Sequence, residues 1–286
     1  MKNRCEILGR FSLLAIVLVF LHGAAVEAGV VTTIIGNKAK TDISLPGPGS
    51  IQYEADFDLE FHNPQNLTVA CLGLTAEVMN ATQIADVESR MPYAPNQTID
   101  PDFPIRVTVN PPIGCGLQFD DEVDVEFKTA DLVYASFSPY RLMKAPIGGA
   151  FHDLTASVTL GSVRVRGSGG SFSELVIIKE QTQNYSVRAS DTYTALEARI
   201  NDAAISLTAQ STLMTDLSVS KAAYVAGNYT EAINRLNDLQ GHCGTLGGPA
   251  LPNVWRSARD LVNAEGETVS MSSFLIFTVG RLNGSP

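Results

Sequence analysis

The sequence predicts an α+β protein: an immunoglobulin-like β-sandwich, a small antiparallel helical bundle, and a final β-strand that returns to the sheet. Three observations predict it. From Gly29 to about Lys179, short alternating runs sit between Gly, Pro and Asn turn signals. The period becomes helical near Ser190. A short apolar run, Ser273 to Val279, then nearly closes the chain. The expected boundaries are 1–28 for a leader, 29–188 for the sandwich, 189–267 for the bundle and 268–286 for the last strand and tail.

The leader has the pattern of a secretory signal. Lys2, Arg4 and Arg10 surround the start of an apolar core, Phe11 to Leu21, that is short for a membrane span. Val26-Glu27-Ala28 offers small residues for cleavage, so the expected location is secreted or periplasmic. Cys5 precedes the apolar core and cannot anchor a lipid there. Losing residues 1–28 removes three basic and two acidic residues, moving the net charge from −10 to −11. An acidic chain lacks the basic footprint that nucleic acid or anionic lipid requires. With no second long apolar run, no membrane span is expected.

Gly29 to Gly36 is β-branched and predicts a first strand, and Asn37 to Gly49, polar and rich in Pro and Gly, predicts a loop. Ile51 to Phe61 alternates strictly, with Ile51, Tyr53, Ala55, Phe57, Leu59 and Phe61 on one face and an acidic opposite face. Side chains along one strand face do not converge on an ion, so no metal is expected there. Asn63 to Asn66 predicts a turn. Leu67 to Met79 predicts a strand pair with a bulge at Gly73. Asn80 to Asp102 predicts an irregular connection. Pro104 to Val109 and Phe119 to Thr129 alternate again.

Ser138 to Glu180 is the most sharply specified stretch. Gly148-Gly149 reads as a turn, and Phe151 to Leu160 as a strand with Leu154, Val158 and Leu160 inward. Val163 and Val165 alternate with Arg164 and Arg166, and Gly167 to Gly170 predicts a flexible hairpin tip before the strand Phe172 to Ile178. Arg141, Arg164 and Arg166 are the candidate anion or glycan contacts.

Helices are expected from Ser190 to Leu207, capped by Ser190; from Thr212 to Ala226; and from Asn228 to about Leu239. Gly241 to Gly248 predicts a loop. Pro252 would open a fourth helix carrying Trp255 and ending at Gly266. Ser273 to Val279, apolar on both faces, would pair with the first strand.

Cys71, Cys115 and Cys243 follow the leader. The first two share the β-rich half and are the expected disulfide, worth about 4 kcal/mol in the chain-entropy model. Cys243 beside His242 lacks the ligand count of a zinc site. Six Asn-x-Ser/Thr triplets occur, at Asn66, Asn80, Asn96, Asn184, Asn228 and Asn283. A bacterial source would leave them unglycosylated.

Asn66-Leu-Thr, Leu72-Gly-Leu, SPYRLMKAPIGGAFHDLT, GSVRVRGSGGSFSEL and VWRSARDLVN together resemble a family of predicted exported bacterial proteins of unassigned function. That resemblance implies no substrate, cofactor or catalytic residue. LMTDLSVSKAAYVAGNYTEAINRLNDL resembles two helices of the FIMAH module of secreted bacterial proteins, and the PNVWRSARDLVN that follows departs from it.

No His-x-His, His-Glu-x-x-His or Gly-x-Ser-x-Gly pattern occurs after the leader. His152 and Asp153 are strand neighbours pointing to opposite faces, which argues against a triad through them. No cofactor is expected. The expected function is a non-catalytic binding or adhesion module whose partner is a glycan or another envelope protein. The alternatives are a structural component of an envelope or matrix assembly and a glycan hydrolase using paired carboxylates. Exposed aromatics at Tyr93, Tyr134 and Tyr140 would make a platform for a glycan.

Overall fold

The computed structural model describes residues 29–159 and 161–285, so the expectations for the leader and for Leu160 lie outside the described residues. The chain begins with a meander: β1 (Gly29–Ile35), β2 (Lys38–Pro46) and β3 (Gln52–Gln65). Gly36, at φ 63, makes the tight turn between the first two, a conformation open to glycine at no steric cost. Residues 38–46, expected as a loop, are a strand because Ala39, Thr41 and Ile43 alternate inward between two paired neighbours. Along β3 the predicted alternation is the burial pattern, with Tyr53, Ala55, Phe57, Leu59 and Phe61 buried; Ile51, expected on the same face, precedes the strand and is exposed. The strand continues through Asn63 and Pro64, where a turn is expected. Asn63 takes φ 44 instead, and the register slips beside it.

α1 (Val69–Leu72), β4 (Leu74–Val78), α2 (Ala81–Ser89), β5 (Gln97–Ile99) and β6 (Ile105–Val109) follow. Residues 67–79 are thus not a strand pair with a bulge. Thr68 caps a one-turn helix, and Gly73 ends it in the left-handed region at φ 59. The connection expected to be irregular contains α2, started by a capping box between Asn80 and Gln83. β7 (Gln118–Val133), β8 (Tyr140–Ala145), β9 (His152–Asp153), β10 (Thr155–Thr159), β11 (Ser162–Gly169) and β12 (Glu174–Glu180) complete the strand-rich part.

These strands form two antiparallel sheets. One runs β1-β2-β3-β7-β11-β10; the other runs β4-β6-β12-β8-β9, with β5 also on β12. Phe57, Phe61, Phe127 and Val165 of the first share a buried core with Val107, Leu142, Leu175 and Ile177 of the second. Phe57 and Phe127 meet edge to face, ring centroids 5.3 Å apart. The structure brings Cys71 and Cys115 to disulfide distance, with their Cα atoms 5.4 Å apart.

The C-terminal part comprises α3 (Tyr185–Ile200), α4 (Leu207–Val225), α5 (Tyr229–Leu246), a short strand β13 (Val254–Arg256) and α6 (Ala264–Leu282). Asn184, Ser206, Asn228 and Asn263 cap the four helices, each side chain accepting a first-turn amide. α3 therefore starts six residues before the expected Ser190 cap. The stripe Leu236, Leu239 and Cys243 carries α5 on through Gly241 and Gly244, where a loop is expected. The helix expected around Trp255 is a strand. It pairs with β7, and the indole stacks on Phe119 at 5.4 Å between centroids.

The largest correction concerns Ser273 to Val279. The segment is the middle of α6, not a strand pairing with β1. A short apolar run alone does not separate a strand from a buried helix. The flanks decide: the Asn263 cap, Glu265 and Glu267 in the first turn and Arg281 in the last all suit the helix dipole. The run is apolar all round because α6 is covered on two sides. Leu275 and Val279 enter the core of the helices, and Phe277 packs on the core between the sheets.

Two outcomes test this packing. Non-reducing peptide mapping will recover Cys71 linked to Cys115, and reduction will lower unfolding stability by about 2–5 kcal/mol. Gly241→Ala, at an open position in α5, will raise stability by roughly 0.5–1 kcal/mol in urea unfolding.

Candidate functional site

The glycines expected to form a flexible tip are packed. Gly167, Ser168 and Gly169 belong to β11, paired with β7, and all are buried. A Cβ on Gly170 would lie 2.8 Å from Asn263 O and from Glu267 N, so only glycine lets the first turn of α6 rest here. Gly266 has the reciprocal role: a Cβ there would lie 2.8 Å from Gly170 Cα and would also clash with Asp121 O. Asn263 Nδ2 donates to Asp121 O, and Ser270 Oγ donates to Ser168 O.

This docking closes a cavity of about 440 Å³ between the β8–β9 pair, the β11–β12 link, the Pro92–Gln97 segment, α3 and α6. Phe151, Met271, Phe274, Pro146 and Ala195 give it apolar wall; Lys144, Ser171, His152 and Asp153 give it a polar end. The volume and the mixture suit a small organic ligand.

Lys144 comes from β8, where every residue is buried, and is itself only 4% exposed. It lies on the same side of the strand as Tyr140 and Leu142. Its ammonium donates to Ser171 Oγ at 2.9 Å. Gly169 leaves it room, since a Cβ there would be 3.0 Å from Nζ. Among the described residues Lys144 makes no ion pair. Glu267 lies in the same wall but binds Arg199 at 2.8 Å. Burial pushes the Lys144 amine down to about 8, with the Glu267 charge acting weakly the other way.

Three other polar wall groups, Arg188, Tyr93 and Asp153, have partners. Arg188 Nε donates to Glu180 at 2.7 Å and its guanidinium covers the Tyr93 ring. Tyr93 Oη donates to Asp191 at 2.5 Å. Asp153 accepts the Thr155 amide at 2.8 Å; burial raises its carboxyl to about 6. His152 faces Lys144 across the β8–β9 ladder and opens onto the cavity. The residue is exposed on its outer side, and the atoms around the ring, then the Lys144 charge, lower its pKa.

The three arginines singled out from sequence are not brought together. Arg141 is 1% exposed; it faces Glu180 at 3.5 Å and donates to the carbonyls of Ser138 and Tyr140. Arg164 and Arg166 are half-exposed and share Glu126, at 3.1 and 2.5 Å. Arg166 also lines a second groove of about 630 Å³ whose other charges include Asp58, Glu60, Glu122 and Asp124. Tyr93 and Tyr140 form no exposed platform: Tyr140 is buried, and Arg188 covers Tyr93. Lys144, Ser171 and His152 were missed as a group. The one signal for Lys144 is its place two residues after Leu142, on the apolar side of a strand.

Residues 13–283 match the family described as a family of unknown function (DUF6689). The chain belongs to that family. No curated protein matches the chain. Among the described residues there is no helix long and apolar enough to cross a membrane, and no group of three or more His, Cys, Asp or Glu placed to hold a metal ion. Membership of the family brings no assigned chemistry, so the cavity has to be read from its own residues.

Lys144 supplies a test of the geometry. Its proton is held less tightly folded, at about 8, than unfolded, at 10.5. Its burial therefore lowers stability fully below about pH 8, and the loss is relieved as pH rises toward 10.5. The whole effect is on the order of 3 kcal/mol. Urea unfolding will show Lys144→Met more stable than the parent at pH 7, with the advantage shrinking by pH 10.

Proposed function

We propose that the protein is an exported binding module that takes a small carboxylate-bearing amphiphile into the cavity beneath α6. The observation that carries this is the Lys144 ammonium: buried, at the polar end of an otherwise largely apolar cavity, and without a carboxylate partner among the described residues. An unpaired buried cation is costly, and a ligand carboxylate would supply the missing charge together with a charge-assisted hydrogen bond. The Phe151, Met271 and Phe274 side of the cavity would cover the ligand's apolar body.

Export rests on the leader sequence. The immunoglobulin-like character of the sandwich and the FIMAH-like character of the α4–α5 hairpin belong to the same proposal and rest on sequence pattern. Arg164 and Arg166 are kept as outer-face contacts for a glycan or an envelope partner.

Isothermal titration with decanoate tests the reading. We expect saturable binding at one site at pH 7, at least tenfold weaker in Lys144→Met. Affinity will fall as pH rises through about 8, because the free Lys144 amine loses its proton there. Equal binding of decanol and decanoate, or no effect of Lys144→Met, would overturn it.

A further inference from the structure

The geometry points to a catalytic use of the same cavity: Ser171 is the nucleophile of an ester hydrolase, and Lys144 is the base that takes its proton. This rests on the reading of the cavity as a ligand site and goes beyond it, since a binding module needs no nucleophile.

Two independent features of the fold put these groups together. Lys144 reaches across from β8 of one sheet, and Ser171 stands on the link that leaves β11 of the other. They meet at 2.9 Å, the separation a nucleophile and its base require. Both line the cavity, so a substrate carbonyl entering it meets the hydroxyl directly. The glycines on either side fix the pair. Gly169 admits the amine, and Gly170 lets the link lie against the first turn of α6, which holds Ser171 in place. A serine with a lysine base is an established variant of the serine–histidine arrangement.

The charges around the pair allow the step. His152 of β9 lies on the same side of the ladder as Lys144, and Asp153 on the other side, where the Arg141 charge acts on it; Glu267 of α6 and Arg188 and Asp191 of α3 also line the cavity. Arg188, Glu267 and Asp191 are engaged by Glu180, Arg199 and Tyr93. Burial thus leaves Lys144 with an amine that is neutral in an appreciable fraction of molecules near pH 8.

The chemistry balances with water as the only co-reactant. Neutral Lys144 accepts the Ser171 hydroxyl proton while Oγ forms a bond to the ester carbonyl carbon. The tetrahedral intermediate collapses with cleavage of the carbon–alkoxy bond, and the leaving alcohol takes the proton from the Lys144 ammonium. Water then gives its proton to Lys144 and its oxygen to the acyl carbon. The Ser171–acyl bond breaks, Oγ recovers a proton from Lys144, and the carboxylic acid leaves. The product carboxylate belongs to the ligand class proposed above, which links binding and turnover.

The test uses the full chain without its leader, an alkyl fluorophosphonate and p-nitrophenyl decanoate. The fluorophosphonate should add once, on the peptide containing Ser171. Hydrolysis should rise with pH through about 8 and fall at least a hundredfold in Ser171→Ala and in Lys144→Met. Decanoate titration of Ser171→Ala, which keeps the lysine, shows whether that variant is still folded; Ser171→Cys, which should react with an alkyl iodoacetamide, serves if it is not. Decanoate binding without labelling of Ser171 would overturn the catalytic proposal and leave the binding reading standing. Labelling without decanoate binding would do the reverse. Hydrolysis that survives in Ser171→Ala would place the chemistry elsewhere and overturn it.

Discussion

The structure depends on one close backbone approach, that of the first turn of α6 to the link between β11 and β12. Gly170 and Gly266 face each other there, with Asn263 and Asp121 joined across the contact. Any side chain at either glycine would hold the helix off. With the helix seated, one side of α6 completes the core of the helices through Leu275 and Val279. Another packs Phe277 on the core of the sheets. Glu267, Met271 and Phe274 then close the cavity. The contact that joins the two parts also brings together the walls of the cavity.

Electrostatics single out Lys144 against this background. Two buried carboxylates are shared by arginines: Glu174 accepts from Arg90 and Arg106, and Glu180 from Arg188 with Arg141 close by. Such pairs offset the desolvation of both charges. Glu265, buried with Oε2 unpartnered, instead has its carboxyl pushed up to about 8 by burial. Arg281, with Nε and Nη2 unpartnered, lies instead over the rings of Phe277 and Phe137. Lys144 has only the Ser171 hydroxyl, and it faces a cavity large enough to admit a ligand.

Much of the strand frame was legible because one buried face enforces a period of two. β3, β7 and β11 carry their inward residues where the alternation puts them. α5 was legible at its start through Asn228. The failures have physical causes. β13 is three residues long and is held by the stacking of Trp255 on Phe119, a contact between residues far apart in the chain. α6 is covered by sheet and helices together, which erases the stripe that marks a surface helix. The Asn-x-Ser/Thr triplets have a structural side: Asn80, Asn184 and Asn228 cap helices, and Asn66 and Asn96 bond main-chain carbonyls through their amides. The site stayed hidden because Lys144 and Ser171 come from different sheets, and no local spacing records their meeting.

The central claim is that one lysine is buried in the cavity without a carboxylate partner. NMR titration of the side-chain ε-carbon resonances, in protein carrying ¹³C-labelled lysine, measures this directly. The account predicts one resonance that titrates near pH 8, about 2.5 units below the ordinary lysine value, and that is missing from Lys144→Met. If every lysine, Lys144 included, titrates above pH 10, the amine is solvated or paired, and the account of the cavity is contradicted.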